Sequence, residues 1–425
     1  MTPVAEERLS ANDGAFFVAE SDVTPQVTAL LTLLETTPSM ECLRDVARRA
    51  AAVVPRLQCV VDPQRFGVLV RMPHMDPADH VSRVHAADVR TASDLLDVVS
   101  ALHSQPLPHD RPLWQIVLVS NRDPESGELP PAQQERVAVL WRVHHGISDG
   151  IRSMDMFRAA LAGTTTPSQG PRSATPGSMH PSLAAAGRAA RIVARTQRMA
   201  PIPSPLNGTN SPARRLTTVE LDRVAMRSVM RREGVGLHDV MVAVLASALR
   251  HYHQCHGAPV VRDLRVIVPT NSQPLPNSGS RGNFVDMVWL SLPITEADPI
   301  RRLHSSAEAL SRARAEGWVD FSHLVPPLVA RAPLRLQRQF FSKACALTNA
   351  VCTIMPANLQ NLEVGGQSMA RSYAAATLLE SHGAGFTFMT AGSAVRGAIV
   401  SDPALVPDPQ LLAGALHEGL NDLKP

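Results

Sequence analysis

The stretch that most narrows the possible folds is RVAVLWRVHHGISDGIRSMDMFRAAL, residues 136 to 161. Its first ten residues are rich in Val and Leu and too few for a buried helix, so they read as a strand. Gly146 and Gly150 bracket a turn, and beyond it Ile151, Met154, Phe157 and Leu161 fall on one helical face. A second apolar run, RPLWQIVLVS (111–120), reads as a neighbouring strand across a Gly/Pro/Glu loop. Strand, tight turn and amphipathic helix in succession point to a mixed α/β chain with helices laid on a sheet.

The rest of the chain agrees with that class. From 24 to 54 apolar residues recur at helical spacing, broken at Thr37-Pro38 with Ser39 placed to cap, which predicts two helices, the second from about 40. CVVDPQRFGVLVRM predicts a hairpin about Asp62-Pro63, and residues 93–104 a helix. Residues 162–182 are rich in Gly, Thr, Pro and Ser and mark a crossing segment. Residues 237–257 are apolar nearly all round from Val240 to Leu249, a buried helix closed by Gly257. LRVIVPTN (264–271) and NFVDMVWLSLPI (283–294) predict strands, as do TNAVCTIM, SMARSYAA and the pair GFTFMT and AVRGAIVS, joined as a hairpin across Ala391-Gly392-Ser393. Because 425 residues exceed what one core organises, two subdomains are expected, 1–162 and 211–425, joined by a crossover at 163–210.

Composition removes several function classes. Aromatic residues are only 4% of the chain, too few for the stacking platforms of single-strand binders, so nucleic acid is not an expected partner. Five scattered cysteines without CxxC spacing argue against a disulfide framework or a zinc ribbon and fit a reducing compartment. The opening MTPVAEERLS carries acids where a signal peptide needs an apolar run, and no stretch approaches a membrane span, so a cytoplasmic protein is expected. His251, His253, Cys255 and His256 cluster at a helix C-terminus, where imidazoles are favoured electrostatically, and no carboxylate adjoins them, so no metal is expected.

Residues 156–219 hold no Asp or Glu, and within them Arg188, Arg191, Arg195 and Arg198 share one helical face. That face reads either as the solvated side of a connector or as a surface for anionic headgroups or coenzyme A phosphates.

The chemistry concentrates in HHGISDG (144–150). A neutral imidazole at His145 can draw the proton from an attacking hydroxyl. Adjacent strand residues face opposite ways, so His144 and His145 cannot share one task. Asp149 then shapes the loop or pairs with an arginine, for which Arg265 is a candidate. GISDG also fits the G-x-S-x-G nucleophile elbow, which would make Ser148 the nucleophile of a serine esterase, with Asp402 and His417 following in the required chain order. The bland alternative, a histidine that only ends a strand, leaves the ordered set His-His-x-x-x-Asp-Gly unexplained.

HHGISDG matches the HHxxxDG motif of the acyltransferase superfamily that includes nonribosomal peptide condensation domains and chloramphenicol acetyltransferase. Nearly end to end, the chain resembles the bacterial wax ester synthase / acyl-CoA:diacylglycerol acyltransferase family. The matching segments are LSANDGAFF (9–17), LHSQPLPHDRPLWQI (102–116), HDVMVAVLASALRHY (238–252), VPTNSQ (268–273), RGNFVDMVWLSLP (281–293) and ALVPDPQLL (404–412).

The resemblance implies two chloramphenicol-acetyltransferase-like subdomains with helices packed on mixed, largely antiparallel sheets. It implies acyl-CoA as co-substrate without a resident cofactor, a fatty alcohol or diacylglycerol as acceptor, and contact with a membrane or lipid droplet. It implies His145 as base, with His144 and Asp149 beside it, and Gly150, Ser148, Asn271, Asn283 and Asn349 as substrate-side residues. On this view Ser148 is a bystander and no acyl-enzyme forms.

Two departures bear on the acceptor. The family's Asn-Asp is here His238-Asp239, and its Ser-Asn-Val-Pro-Gly-Pro appears as TNAVCTIMP (348–356), which keeps Asn349 and loses the Pro-Gly turn. A non-lipid acceptor, or a binding protein that keeps the fold without catalysis, are the remaining alternatives.

Overall fold

A computed structural model describes residues 6–123, 125, 136–162, 182–271, 283, 285–356, 359, 362–369 and 371–424. Four strands of the first half are β1 (Val27–Leu34), β2 (Val81–His85), β3 (Trp114–Ser120) and β4 (Val137–His144). The second half supplies β5 (Arg215–Asp222), β6 (Leu264–Asn271), β7 (Val285–Leu292), β8 (Ala350–Pro356), β9 (Ser372–Ala375), β10 (Ala384–Ala391) and β11 (Ala394–Ser401). They form two main sheets, of order β9-β1-β4-β3-β2 and β7-β6-β8-β10-β11-β5. Most neighbours are antiparallel. The pairs β2/β3, β6/β8 and β8/β10 are parallel. The expected mixed class and largely antiparallel pairing are what the chain adopts.

Strand β9 belongs to the second half in sequence yet pairs with β1, Ser372 opposite Thr32 and Ala375 opposite Ala29. The first sheet is therefore completed by the far end of the chain. Between the sheets Leu31, Val119 and Leu140 meet Leu216, Tyr373, Ala398 and Val400 in one apolar cluster.

Eleven helices are described: α1 (Ala11–Ala19), α2 (Met40–Val53), α3 (Ala92–His103), α4 (Gly150–Ala162), α5 (Leu183–Gln197), α6 (Arg223–Glu233), α7 (Leu237–Cys255), α8 (Pro299–Ala315), α9 (Trp318–Val329), α10 (Leu334–Ala346) and α11 (Pro409–Asn421). Ser39 caps α2 as read, its side chain accepting from the Cys42 N–H. Residues 27–34 are a correction, because the expected first helix is strand β1. Six of its eight side chains are buried, so both faces are apolar and no period distinguishes strand from helix. Helix α7 is buried without interruption from Val240 to Leu249 and organises the second core together with α8 and α11.

Two of the four arginines on the basic helix α5 are paired with acids, and Arg191 and Arg198 are exposed. Arg188 meets Asp320 at 2.6 Å and Arg195 meets Glu316 at 2.6 Å, which fastens α5 along the start of α9. Residues 163–181 of the expected crossover lie outside the described residues.

Candidate active site

Strand β4 delivers the two histidines at its C-terminal end. The His144 N–H donates to the Leu113 carbonyl at 3.0 Å and the His145 N–H to the Gln26 carbonyl at 2.7 Å, so the strands on both sides hold the backbone. Helix α1 then covers both rings. Phe17 stacks on His144 with centroids 4.2 Å apart, and Phe16 stacks on His145 at 3.8 Å with planes 13° apart. Gly146 permits this approach, since a Cβ there would lie 2.4 Å from the Phe17 ring and 3.0 Å from the Asp13 carbonyl.

The rings nevertheless have different fates. His144 is fully buried, and its Nδ1 accepts from the Gly146 N–H at 3.0 Å. The ring hydrogen therefore sits on Nε2, which faces the Glu20 carboxylate at 3.4 Å. His109 reaches the other Glu20 oxygen at 2.9 Å. Burial opposes charge on Glu20, but the hydrogen bonds from His109 and His144 prevail and hold its carboxyl down to about 2. Burial lowers the pKa of His144.

His145 stays partly exposed. Its Nδ1 is buried with no hydrogen-bond partner among the described residues. Burial above all, and then the neighbouring His144, push its pKa down to about 4. The ring is neutral at pH 7 and able to accept a proton.

A chain of buried polar groups fixes the backbone at this ring. Arg56 pairs with Glu7 at 2.6 Å and with Asp13 at 3.1 Å, and donates to the Ile147 carbonyl at 3.2 Å. The free Asp13 oxygen accepts from the Asn283 backbone N–H at 2.8 Å and from its side-chain amide at 2.7 Å. That same amide donates to the His145 carbonyl at 2.8 Å. Burial works against the charge of Arg56, but Asp13 and Glu7 outweigh it and its pKa is raised. Asn283, from the second half, thus braces the reactive loop of the first, and its amide hydrogens are committed to protein rather than to a ligand.

Asp149 immediately precedes α4. It is buried, accepts from the Arg152 N–H at 2.8 Å, and lies 3.7 Å from the Arg152 guanidinium, so it shapes the start of α4. Arg265, the expected partner, instead donates to the Leu347 carbonyl. Gly150 faces Met355 of β8, whose methyl carbon would be 2.8 Å from an added Cβ.

Ser148 donates to the Asp149 carbonyl at 3.3 Å and accepts from Ser153 at 3.1 Å, without a histidine partner. Asp402 is buried and accepts from Ser211 N–H at 2.6 Å, Ser211 Oγ at 2.7 Å and Ala404 N–H at 2.9 Å, while His417 is exposed on α11. The expected esterase constellation is not assembled.

The other expected substrate-side residues diverge. Asn271 ends β6 opposite Val285, and its side chain lies outside the described residues. Asn349 donates to the Ile202 carbonyl and to Asn207, both at 2.8 Å, and accepts from the Arg265 N–H at 2.9 Å. Its amide holds the crossover to the second sheet. Near the α7 C-terminus, His253 and His256 direct Nδ1 back to the Leu249 and Tyr252 carbonyls.

Glu7, Asp13, Phe16, Phe17, Glu20, Arg56 and His109 were not singled out from the sequence. One local signal existed: Ser10 and Asp13 have capping-box spacing, and each side chain does accept from the other's backbone N–H. Nothing local marks Arg56 or Glu20, whose partners lie far away in sequence.

Comparison with known proteins adds an independent line. Residues 9–202 match the profile described as wax ester synthase/diacylglycerol acyltransferase catalytic domain, and residues 281–424 match the WS/DGAT C-terminal domain. A putative diacylglycerol O-acyltransferase of Mycobacterium tuberculosis is 28% identical over 277 residues, 56% of each chain. The chain thus spans about half the length of that curated relative. Among solved structures, the wax ester synthase/diacylglycerol acyltransferase of Marinobacter aquaeolei superposes with a TM-score of 0.70 at 20% identity, covering 98% of both chains. The TRI3 trichothecene 15-O-acetyltransferase of Fusarium sporotrichioides gives 0.65 at 12% identity, covering 99% of this chain and 95% of that one. At such identities these two likenesses speak for the fold.

Proposed function

The chain belongs to the wax ester synthase/diacylglycerol acyltransferase family, and from that premise we propose that it moves a fatty acyl group from acyl-CoA to the hydroxyl of a long-chain alcohol or a diacylglycerol. His145 is the base. Its Nε2 takes the hydroxyl proton as the oxygen attacks the thioester carbonyl carbon. The tetrahedral adduct then collapses, the carbon–sulfur bond breaks, and the imidazolium returns the proton to the departing thiolate. The products are an ester and free coenzyme A, with no covalent enzyme intermediate. A positioned base of this kind contributes about 10² to 10⁴-fold.

The observation that carries this reading is the contrast between His145, held neutral and partly exposed at the end of β4, and Ser148, which hydrogen-bonds Asp149 and Ser153 and has no histidine partner among the described residues. His144, tied to Gly146 and Glu20, orients the loop instead of exchanging a proton with substrate.

Radiolabelled acyl-CoA supplied with and without hexadecanol or diacylglycerol tests the proposal. The expected result is ester that persists in Ser148→Ala and is lost by about 10² to 10⁴-fold in His145→Ala. A labelled acyl group trapped on Ser148 when the acceptor is withheld would overturn it.

A further inference from the structure

Helices α9 and α10 form a hairpin whose outer end is apolar. Leu328 near the end of α9 is 61% exposed, and Leu334 and Leu336 at the start of α10 are 41% and 51% exposed. Large aliphatic side chains grouped around one turn and left open to water mark a contact surface more often than a chance of packing. The charge of the segment itself is wholly basic, because residues 321 to 362 contain Arg331, Arg335, Arg338 and Lys343 and no Asp or Glu, and Glu380 meets α10 only toward its far end, at Ser342. Arg331, Arg335 and Arg338 are exposed, and none is in an ion pair among the described residues. The acids just before this segment are taken, Glu316 by Arg195 and Asp320 by Arg188.

The inner face explains why the outer one stays open. Gln337 is buried and donates to the Ala330 and Ala332 carbonyls at 3.2 and 2.7 Å, which closes the turn between the helices. Both α9 and α10 pack against α1, the helix that stacks Phe16 and Phe17 on the two histidines. The hairpin is therefore a fixed projection next to the reactive loop.

We propose that this hairpin tip is a docking surface for an anionic lipid bilayer. Leu328, Leu334 and Leu336 enter the headgroup boundary while the long arginine side chains keep their guanidinium groups at the phosphates. A second copy of the chain fits less well. An isologous pair sets the same patch against itself, so the three arginines would meet their own counterparts with no acid to separate them. The inference places a lipid-facing role at α10, in addition to α5, where Arg188 and Arg195 are paired with Asp320 and Glu316. It stands on this surface and does not depend on the reaction proposed above.

Co-sedimentation of the full chain with vesicles tests it. The protein should bind vesicles of equimolar phosphatidylcholine and phosphatidylglycerol and stay in solution with phosphatidylcholine alone, with binding that weakens as salt is raised. Replacing two exposed leucines, Leu328→Glu with Leu336→Glu, should reduce binding at least about tenfold. The triple variant Arg331→Gln, Arg335→Gln, Arg338→Gln should erase the preference for the anionic vesicles. In both variants the circular dichroism spectrum and acyl transfer to a short, water-soluble alcohol should match the parent. Binding that survives the leucine substitutions overturns the proposal, and so does a parent chain that binds neither vesicle. A dimer by light scattering that those substitutions turn to monomer overturns it too, in favour of an interface between copies. The vesicle readout remains decisive even if no acyl transfer is found.

Discussion

Behind the reactive loop, Arg56, Asp13 and Asn283 form a chain of charges and amides that ends on the His145 carbonyl, whereas at the crossover Asn207, Asn210 and Asn349, with Asp402 and its buried partner Arg214, join backbone segments of the second half. Each cluster contains an asparagine that family resemblance puts near substrate, and each has a buried histidine close by. The first bears on the atom that does chemistry. The second bears on where the chain runs: Asn207 donates to the Thr348 and Ser381 carbonyls at 3.1 and 3.0 Å, and Asn210 to the His382 carbonyl at 2.8 Å. Similar residue types at similar burial thus serve position in one place and path in the other, and only the end of the hydrogen-bond chain tells them apart.

The strongest test of this contrast is Asp13→Ala. It leaves Arg56, only 7% exposed at its side chain, with Glu7 as its remaining carboxylate and strips both bonds from Asn283. Removing one member of a buried ion pair costs about 3–5 kcal/mol, so denaturant unfolding should show a loss near the lower end of that range and little activity should remain. Stability within about 0.5 kcal/mol of the parent would mean that this cluster does not hold the loop.

Asn283→Ala should separate position from stability. It frees the His145 carbonyl, and a small displacement of a reacting group can lower kcat about 10²-fold with KM nearly unchanged. A rise in KM at constant kcat would return Asn283 to the role of substrate contact.

Asn349→Ala provides the counterpart at the crossover. It leaves a buried acceptor on Asn207 and the Arg265 N–H unpaired, at a cost of about 1–3 kcal/mol. Its kcat per folded molecule should stay within about twofold, because the two clusters share no partner. A kinetic loss comparable to that of Asn283→Ala would erase the distinction.

What was legible in the sequence follows the same division. The strand–turn–helix that carries HHGISDG was readable because one face of the helix and the length of the strand are both local properties, and α7 because its apolar run is long. Strand β1 was misread, since a segment buried on both faces has no period to detect. Helix α9 holds Pro326 and Pro327 inside it, where sequence rules expect a break. At the site, the motif residues could be named, but not their supports. Arg56 stands 43 residues from Asp13, and Asn283 stands 270 residues from it, and no spacing rule links such pairs. The protein partners of Asn283 and Asn349 could not be read, because a polar residue in a matching segment looks the same whether its partner is substrate or backbone.

The smallest effect expected concerns protons, and it probes both clusters at once. His382, fully buried, shares its Nε2 with the Thr348 hydroxyl at 3.0 Å and the Cys345 carbonyl at 3.2 Å, and burial pushes its pKa down to about 4, as it does for His145. A free imidazole titrates near 6.5, so in acid the unfolded chain takes up protons before the folded one does. Stability from these groups is complete above about pH 6.5 and declines as pH falls toward about 4. His382→Gln removes one of these sites, and the acid branch of unfolding should become shallower by about one proton, roughly 1.4 kcal/mol per pH unit. The acid limb of kcat/KM reports the free enzyme's base and should stay where His145 sets it, well below 6.5 and toward about 4. If that limb moves with His382→Gln, the crossover cluster reaches the reacting atom after all, and the separation between path and position fails.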